Sequence, residues 1–451
     1  MIEARALLRL AIPLALIQVA EGTVNFLDTL MMGWLSTSAL AAGGLGAIIF
    51  WTFLSLFTGL LEMTGALAAE AYGAGNPQRV SSINAQALWL SLGVSVPTLI
   101  LFWHLDRVLV FFGQEPQIVA QCMTYLRAIM WGLPAALGIF VFKEVTTALM
   151  QPRLLTLLMV GSIPVNFGLN YSLMYGVGWI PPLGLAGIGW SSTIVFWTLF
   201  IVSIVCLQRQ PALQAWQLFK NIGHFKKPVL KEILYLGWPL CVDYGTEFGA
   251  LTAAALLMGT WSTQFLAAHR IVVTTTEILL MFSWGLSYAA AMLTAHQIGA
   301  NRPDLARRIM TVGMGMNFIL AAILAIPLWL FPKLIVGLYI DPSMVANQGV
   351  AEGAIALLKI GVVFQVFQGF RLMSLGTLQG LRDTYFLAGI DFVAHWVVGL
   401  GIGYALGEYW QLQGFGLWWG LTIGQVTAAV LLGARVYQLL RRKINHLPES
   451  K

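Results

Sequence analysis

The chain has 451 residues, of which 58% are hydrophobic and only 10% charged. Ordinary soluble domains carry about a quarter charged residues, so this composition excludes that class and favours a protein that spans a membrane. The formal net charge is +6, but the basic residues are spread over separate loops, and we therefore expect no nucleic-acid partner.

Apolar stretches that can cross about 30 Å of hydrocarbon as helices recur along the whole chain. Lipid offers no partners for free backbone groups, so these spans should be helices rather than open sheet. Twelve spans are predicted, at 7–33, 40–72, 85–112, 118–146, 155–176, 185–207, 231–259, 266–298, 307–335, 350–380, 385–406 and 413–437. The first span continues past Glu21 and Asp28 without a cleavage site, and so we expect no removable signal peptide.

Loops that contain Lys or Arg alternate with loops that contain neither. The basic loops follow the second, fourth, sixth, eighth and tenth spans and the last span, and the exceptions on the other side are Arg107 and Lys333. Positively charged loops stay on the cytoplasmic side of a membrane. The alternation therefore predicts that both termini are cytoplasmic.

The two halves of the chain repeat each other. An offset of 226 residues aligns Pro13 with Pro239 and Ser36 with Ser262, and eight of the thirteen positions from 30 to 42 are then identical. Biased apolar composition alone would give roughly one or two identities. We therefore predict an all-α polytopic membrane protein with twelve transmembrane helices in two six-helix bundles related by this internal repeat. Such a duplication favours a site between two bundles that move against each other.

The same pattern predicts how the chain is divided. We expect an N-terminal six-helix bundle at 1–207, a cytoplasmic linker at 208–230, a C-terminal six-helix bundle at 231–437 and a cytoplasmic tail at 438–451. The linker is inferred from its Gln-, Lys- and Pro-containing composition.

Several acidic residues occur inside the predicted spans. A charged side chain at the centre of a bilayer costs about 2.5–3.5 kcal/mol even on lenient scales, so it usually faces a cavity and has a function. Asp28 lies in the first span, Glu21 lies seven residues earlier on nearly the same helix face, and Glu247 lies in the seventh span. Asp391 precedes His395 by four residues, which predicts a local hydrogen bond or a proton relay. Two further acids at apparent membrane depth are Glu62 and Glu277.

Other classes of membrane protein lack their motifs here. The "GAGNPQ" stretch at 73–78 does not end in the GK[ST] that a nucleotide-driven pump needs for phosphate and Mg²⁺. The six histidines are scattered without an HExxH motif, so we expect neither an enzyme nor a metal or other cofactor. A channel is compatible with the composition, but a duplicated plan with buried acids suits alternating access better. The single cysteines indicate no disulfide framework: Cys122, Cys206 and Cys241.

A set of motifs in order along the whole chain resembles one family. The motifs are "NFLDTLMMG" with the "LAAGGLG" that follows, "PVNFGLNYSLMYG" at 164–176, "DYGTEFGALTAAALLMG" at 243–259, "LAAHRI" at 266–271, "HQIGANRPDLARR" at 296–308 and "GTLQGLRD" at 376–383. Together they resemble the multidrug and toxic compound extrusion (MATE) family, in its NorM-like bacterial branch. Each motif is weak by itself, and the set is specific.

The resemblance implies a function and assigns residues to it. It implies two bundles around a central cavity and the export of small organic cations in exchange for H⁺ or Na⁺, by a protein of the bacterial inner membrane that works as a monomer. The coupling acids of the family correspond to Asp28 and Glu247, and we add Asp391 as a third cation-coupling candidate. The paired asparagines correspond to Asn166 and Asn170, which are expected to neighbour Asp28.

The sequence departs from the family pattern in the second half. Members often have an acid eight residues before the glycine matched by Gly376, and this chain has Gln368 there. Phe364 replaces an aromatic hydroxyl, and Arg371 places a cation nearby. Na⁺ needs several oxygen ligands, whereas a proton needs one carboxylate, so we expect protons to be the main coupling ion. The alternative function is a lipid-linked precursor flippase of related architecture, which would want a cavity rich in Arg and Lys.

The wall of the cavity is expected to be aromatic and tolerant of different substrates. The residues proposed to face the substrate are Asn166, Asn170, Gln368, Tyr244, Phe248 and Glu21, with Phe26, Met31 and Met63 as further candidates. Aromatic faces attract organic cations, and methionine side chains adapt to varied shapes.

Overall fold

Helices form most of the chain that the structure describes. The computed structural model describes residues 2–111, 115–178, 181–342, 344 and 347–445, and no strand occurs among them. The last six residues of the predicted tail lie outside this range. The predicted all-α architecture is confirmed.

The helices of the first half follow the predicted spans, with breaks at prolines and in short loops. They are α1 (Ile2–Leu35), α2 (Thr37–Gly73), α3 (Pro77–Trp103), α4 (Leu105–Phe111), α5 (Pro116–Ile129), α6 (Leu133–Ala148), α7 (Arg153–Tyr175), α8 (Leu185–Arg209) and α9 (Pro211–Gln214). A single turn of 3₁₀ helix, Met130–Gly132, joins α5 to α6 just before Pro134. Proline is tolerated there because the first turn of a helix has free N–H groups in any case.

The helices of the second half repeat this order. They are α10 (Lys227–Trp261), α11 (Thr263–Gly299), α12 (Pro303–Leu330), α13 (Pro332–Gly337), α14 (Gln348–Gly380), α15 (Thr384–Phe392), α16 (Gly401–Glu408) and α17 (Gln413–Asn445). A π-helical segment, Val393–Leu400, joins α15 to α16 inside the span predicted at 385–406. Segments of this kind occur most often at functional sites.

The internal repeat is visible in the helix boundaries. Both α2 and α11 have 37 residues, and their first residues are offset by 226. Each begins after a serine whose hydroxyl accepts a hydrogen bond from a free N–H of the first turn, Ser36 from Ala39 and Ser262 from Gln264, both at 3.0 Å. The two halves therefore match in the positions of these helix ends as well as in their sequences.

Eleven helical runs among the described residues are long and apolar enough to cross a membrane. The remaining predicted span lies in α10, which has 35 residues and is less apolar because it carries Asp243 and Glu247. As the repeat partner of α1, α10 supplies the twelfth span. The chain is therefore a multi-pass membrane protein.

Two compact units form, and their boundaries fall inside helices. The N-terminal unit is Leu16–Cys241, and the C-terminal unit is Met1–Ala15 together with Val242–Lys451. The sequence predicted two bundles that follow each other along the chain, the first ending at 207 and the second beginning at 231. In the structure the first part of α1 belongs to the C-terminal unit and the first part of α10 belongs to the N-terminal unit. The two exchange points are themselves offset by 226 residues, so the exchange obeys the repeat.

Glycines allow the exchanged segments to pack closely. A Cβ atom at Gly285 would lie 2.8 Å from the carbonyl oxygen of Ala11, within the C-terminal unit. A Cβ atom at Gly237 would overlap the carbonyl of Leu60, within the N-terminal unit. Small residues permit such backbone approaches between membrane helices. The repeat offset maps Ala11 onto Gly237, so the same position makes the close contact in both units.

The linker predicted at 208–230 is packed onto α3 within the N-terminal unit. Three side chains of α3 donate hydrogen bonds to its carbonyl oxygens: Asn84 to Leu218 at 3.0 Å, Gln86 to His224 at 2.9 Å and Trp89 to Ile222 at 2.8 Å. Next to this segment, Arg79 forms an ion pair with Glu232 at 2.9 Å. The linker is therefore an ordered part of the unit rather than a loose connection.

Candidate functional site

The first candidate site surrounds Asp28, which α1 buries in the N-terminal unit. Its side chain is only 7% exposed. The amide nitrogen of Asn170 donates to Oδ1 at 2.6 Å, and the hydroxyl of Ser192 donates to Oδ2 at 3.0 Å. The same amide also donates to Oδ1 of Asn166 at 3.1 Å. The predicted neighbourhood of Asp28, Asn166 and Asn170 is therefore present in the structure.

Two neighbouring helices place these partners. Asn166 and Asn170 are four residues apart on α7 and so share one face, just after Pro164, which lies inside the helix. Ser192 belongs to α8, whose Ser191 hydroxyl also reaches the Asn166 carbonyl at 3.3 Å. Ser192 was not predicted from the sequence, because a serine inside an apolar helix gives no signal that separates a ligand from a packing residue.

The hydrogen-bond partners that the structure gives Asp28 are all uncharged. Its charge is therefore not balanced by an ion pair within the described residues. Two polar atoms beside it, Oδ1 of Asn170 and Nδ2 of Asn166, are buried without a hydrogen-bond partner among the described residues. A buried carboxylate in neutral surroundings favours uptake of a proton or a cation, because desolvation penalises its free charge. The site suits reversible binding of a positive charge.

The second candidate site is an acid–arginine cluster in the C-terminal unit, formed by Asp243, Glu247, Arg371 and Asp391. Arg371 on α14 is fully buried. Its Nε and Nη2 donate to the two oxygens of Asp391 at 3.0 and 2.9 Å, a bidentate pair. Two longer contacts join it to α10, with Nη1 at 3.3 Å from Oε2 of Glu247 and Nη2 at 3.5 Å from Oδ1 of Asp243. Three carboxyl groups therefore share one guanidinium.

Glu247 is held by Arg371 less tightly than Asp391 is. Its Oε2 lies 3.3 and 3.4 Å from the guanidinium nitrogens of Arg371, which are longer contacts than those of Asp391. Its Oε1 accepts a hydrogen bond from the amide of Gln368 at 3.0 Å. The structure thus brings together Glu247 and Gln368, which were predicted separately as site residues. A long contact costs less to break, so Glu247 can exchange its partner more easily than Asp391 can.

Asp391 and His395 do not pair through their side chains as an acid and an imidazole. Nδ1 of His395 lies 2.7 Å from the backbone carbonyl oxygen of Asp391, so it donates there. Nε2 then accepts from the amide of Gln425 at 3.1 Å. A local hydrogen bond is present, but it joins the ring to the main chain, because the carboxylate of Asp391 is held by Arg371.

An aromatic row follows α10 and α11 in the C-terminal unit. The ring of Tyr244 stacks with Phe248 and with Trp284, with centroids 6.4 and 6.1 Å apart, and its hydroxyl lies 3.2 Å from that of Tyr288. Phe248 is 53% exposed, which leaves a ring face open to a ligand. These rings offer a stacking surface about one helical turn from Glu247.

Both methionines suggested for the cavity wall were assigned wrongly. Met31 and Met63 have no exposed surface and pack inside the N-terminal unit, whereas Phe26 is 65% exposed. Apolar residues within a membrane span look alike in sequence whether they face a cavity, lipid or another helix. The direction of a side chain around the helix axis depends on neighbours that the local sequence does not reveal.

Glu21 does not belong to the Asp28 site. It is partly buried and experiences the charge of Lys143, whose Nζ lies 3.8 Å from Oε1 of Glu144. Glu62 is buried and experiences the same group of charges. These residues form a separate ionic group within the N-terminal unit.

Among the described residues, no group of three or more His, Cys, Asp or Glu side chains has the arrangement of a metal site. In the acid–arginine cluster a guanidinium stands among the carboxylates, where a bound cation would otherwise balance them.

Repeated halves with buried ionisable side chains inside membrane-spanning helices define a class, the multi-pass transport proteins. The chain belongs to the MatE family, whose sequence model matches residues 13–172 and 239–405. The two matched ranges fall in the two repeated halves. The resemblance seen in the motifs is confirmed.

Relatives from several bacteria cover nearly the whole chain. A protein of Synechocystis named "Probable multidrug resistance protein NorM" is 33% identical, over 98% of this chain and 96% of its own. A protein of the same name from Pseudomonas aeruginosa is 34% identical, over 95% and 88%. The "Multidrug resistance protein NorM" of Burkholderia vietnamiensis is 30% identical, over 95% and 92%.

Solved structures share the fold at low sequence identity. A MATE protein crystallised with MaL6 has a TM-score of 0.88 at 19% identity, covering 98% of this chain and 97% of that one. The eukaryotic MATE transporter AtDTX14 has a TM-score of 0.83 at 17% identity, covering 98% of both chains. These likenesses establish the MATE transporter fold for this chain.

Proposed function

We propose that the protein is a secondary antiporter that exports cationic, amphipathic drugs or toxins in exchange for protons by alternating access. The relatives named as multidrug resistance proteins support the substrate class. The observation that carries the proposal is the environment of Asp28. Its carboxylate is only 7% exposed, and its hydrogen-bond partners Asn170 and Ser192 are uncharged. It acts without a cofactor or nucleic-acid partner, and one chain in the bilayer suffices.

Coupling follows from competition for one negative charge. When Asp28 is ionised it attracts a cationic substrate, and when it binds a proton that attraction is lost. A ligand shifts a conformational equilibrium only by its difference in affinity for the two states, and protonation supplies that difference. Asn166, Asn170 and Ser192 hold the carboxylate in position. Glu247 performs the same task in the C-terminal unit, with Gln368 as its neutral partner, and Asp391 acts there by holding Arg371.

The acid–arginine cluster favours protons over Na⁺. A Na⁺ ion needs several oxygen ligands close together and neutralises carboxylates by its charge. Arg371 already lies 2.9 to 3.5 Å from oxygens of Asp391, Glu247 and Asp243, and so it occupies carboxylate oxygens that Na⁺ would need as ligands. A proton can still bind Glu247, because it needs only one lone pair.

The substrate class also fits the aromatic row. The faces of Tyr244, Phe248 and Trp284 attract a flat cation by stacking and by the ring quadrupole. The flippase alternative is disfavoured by Arg371, whose charge is neutralised by three acids and is not available for a pyrophosphate. One row of aromatic rings suits compounds that carry one charge and one aromatic system.

Proton coupling has a quantitative test. Exchange of one proton for one monovalent cation moves no net charge, so a difference of one pH unit should support about a tenfold drug gradient, equal to about 1.4 kcal/mol. We expect proteoliposomes to export ethidium under a pH gradient without Na⁺, and uncharged analogues to be exported poorly. Ethidium fluorescence over time gives the measurement.

The matched control imposes an inward Na⁺ gradient at equal pH on both sides, with a proton uncoupler present. Export at background level under these conditions supports protons. Robust export there would assign the coupling to Na⁺ and overturn the proton proposal, while antiport itself would stand.

We further propose the bacterial inner membrane as the location, with both termini and the linker on the cytoplasmic side. The basic loops support this orientation. In a chain whose three cysteines are replaced by alanine, Lys220→Cys should be labelled by a membrane-impermeant maleimide only after cells are opened, because Lys220 is exposed in the linker. Gel shift with a maleimide-linked polymer measures the labelling.

The paired variant is Pro182→Cys, at an exposed position in a loop without Lys or Arg. It should be labelled in intact cells with a permeable outer membrane. Labelling of Lys220→Cys in the same intact cells would reverse the proposed orientation.

A further inference from the structure

A small cavity lies beside Glu247 inside the C-terminal unit, at one side of the acid–arginine cluster. Its volume is about 30 Å³. A single water needs roughly 10–15 Å³ by this measure, so the cavity has room for about two. Its polar lining consists of Glu247, Thr276, Glu277, Gln368, His395, Trp418 and Gln425. Apolar side chains such as Ala250, Val273 and Leu421 close the rest of the wall.

Three polar atoms of this lining have no hydrogen-bond partner within the described residues. They are Oε1 of Gln368, Oε1 of Gln425 and Nε1 of Trp418. The three side chains are at most 5% exposed, and buried polar groups are rarely left unpaired. Two acceptors and one donor around a space of this size match the needs of water, which makes about three hydrogen bonds in such sites. The cavity is thus built to hold water.

The cavity connects a buried acid with an exposed one. Glu247 is 8% exposed, whereas Glu277 on α11 belongs to the exposed residues, and both residues line the cavity. Neither the repeat nor the family motifs assigned a role to Glu277. We infer that Glu277 and the Glu247 cavity form a water-mediated route that carries protons between the exposed face of α11 and Glu247.

The step is balanced. A proton leaves the carboxylic acid of Glu277, passes through the water chain, and forms an O–H bond on the carboxylate of Glu247. Glu277 becomes a carboxylate again and takes the next proton from the exposed side of α11. Glu247 then releases its contact with Arg371, which stays bound to Asp391 by two shorter hydrogen bonds. No other reactant is needed.

The charged surroundings support this direction of transfer. Glu277 faces Arg270, which lies two turns earlier on α11, and also the charge of Glu247. Glu247 faces Arg371 and Asp243, and His395 closes the cavity as a neutral ring that donates its Nδ1 proton to a backbone carbonyl. Because that proton is already engaged, the ring accepts at Nε2 and does not compete as a proton donor.

The inference rests on proton-coupled export, so the test must separate the two. The full-length protein in proteoliposomes is used, with ethidium export and drug-induced proton release measured between pH 6 and 9. Glu277→Gln should slow both by about tenfold or more at alkaline pH, where proton supply is limiting, while ethidium binding stays unchanged. Glu277→Asp should restore most of the rate, and Glu352→Gln, the same change at an exposed site on α14, should behave as wild type.

A second variant tests the cavity itself. Ala250 is 1% exposed and lines the cavity, so Ala250→Leu should fill the space for water and slow proton release as Glu277→Gln does. The double variant should be no slower than either single one, because both interrupt one route.

The two failures are distinguishable. Wild-type export without any dependence on pH would contradict proton antiport. Proton-driven export in the wild type together with unchanged rates in Glu277→Gln, or in Ala250→Leu if the first variant does not fold, would overturn the route and leave the antiport standing.

Discussion

Replacing Asp28 by asparagine is expected to abolish gradient-driven export while leaving the fold intact. The substitution keeps the shape of the side chain, an oxygen that accepts from Asn170 and a group that bonds to the hydroxyl of Ser192. It removes the negative charge, to which both a proton and a cationic drug bind. We expect a loss of about 100-fold or more in export rate, as for other positioned proton carriers.

The measurement compares initial rates of ethidium export under a pH gradient at equal amounts of reconstituted protein. Thermal unfolding of the purified variant should match the wild type, or exceed it, since a buried unpaired charge has been removed. Asp304→Asn makes the same change at an exposed position of α12 and should leave export unaltered. Near-normal export by Asp28→Asn would remove Asp28 from the mechanism.

Replacing Arg371 by leucine is expected to give the largest loss of stability. The substitution leaves three carboxyl groups, Asp243, Glu247 and Asp391, buried without their shared cation. Removing one partner of a buried ion pair typically costs about 3–5 kcal/mol, and here the remaining acids also repel one another. We expect low yield and a strongly lowered unfolding temperature, measured as the fraction of monodisperse protein that survives heating in detergent.

Two further variants separate charge from packing. Arg308→Leu makes the same change at an exposed position and should unfold as the wild type does. Adding Asp391→Asn to Arg371→Leu should recover part of the lost stability, because one of the unpaired charges disappears. A double variant that is less stable than the single one would show that Arg371 acts by packing alone, and a single variant as stable as wild type would contradict the ion-pair account altogether.

Much of the fold was predictable because membrane helices are encoded locally. A long apolar stretch predicts a span by itself, and capping residues such as Ser36 and Ser262 mark where the helices begin. The repeat added long-range information, because it made α10 recognisable as a span although Asp243 and Glu247 lower its hydropathy. Neither signal reports the π-helical segment at Val393–Leu400, which depends on packing against the neighbouring helices.

The site was predictable only in part, for a different physical reason. Asp28, Asn166 and Asn170 were found because polar residues are costly in lipid and because motifs tie them to a family. Their partner Ser192 was not, since a serine can bond to its own helix backbone at little cost. Arg371 was noticed as a cation, but its capture by three acids depends on how α10, α14 and α15 face one another. The spacing of residues along one helix does not show how that helix packs against its neighbours.

The exchange of helix segments between the units bears on the order in which the chain is synthesised. Residues up to Ala15 leave the ribosome first, yet they pack with a unit whose remaining residues begin at Val242. The N-terminal unit likewise stays incomplete until residues as far as Cys241 have entered the membrane. Inserted helices of the first half must therefore wait in a partly packed state for the second, and neither half of a gene split between them would encode a finished folding unit.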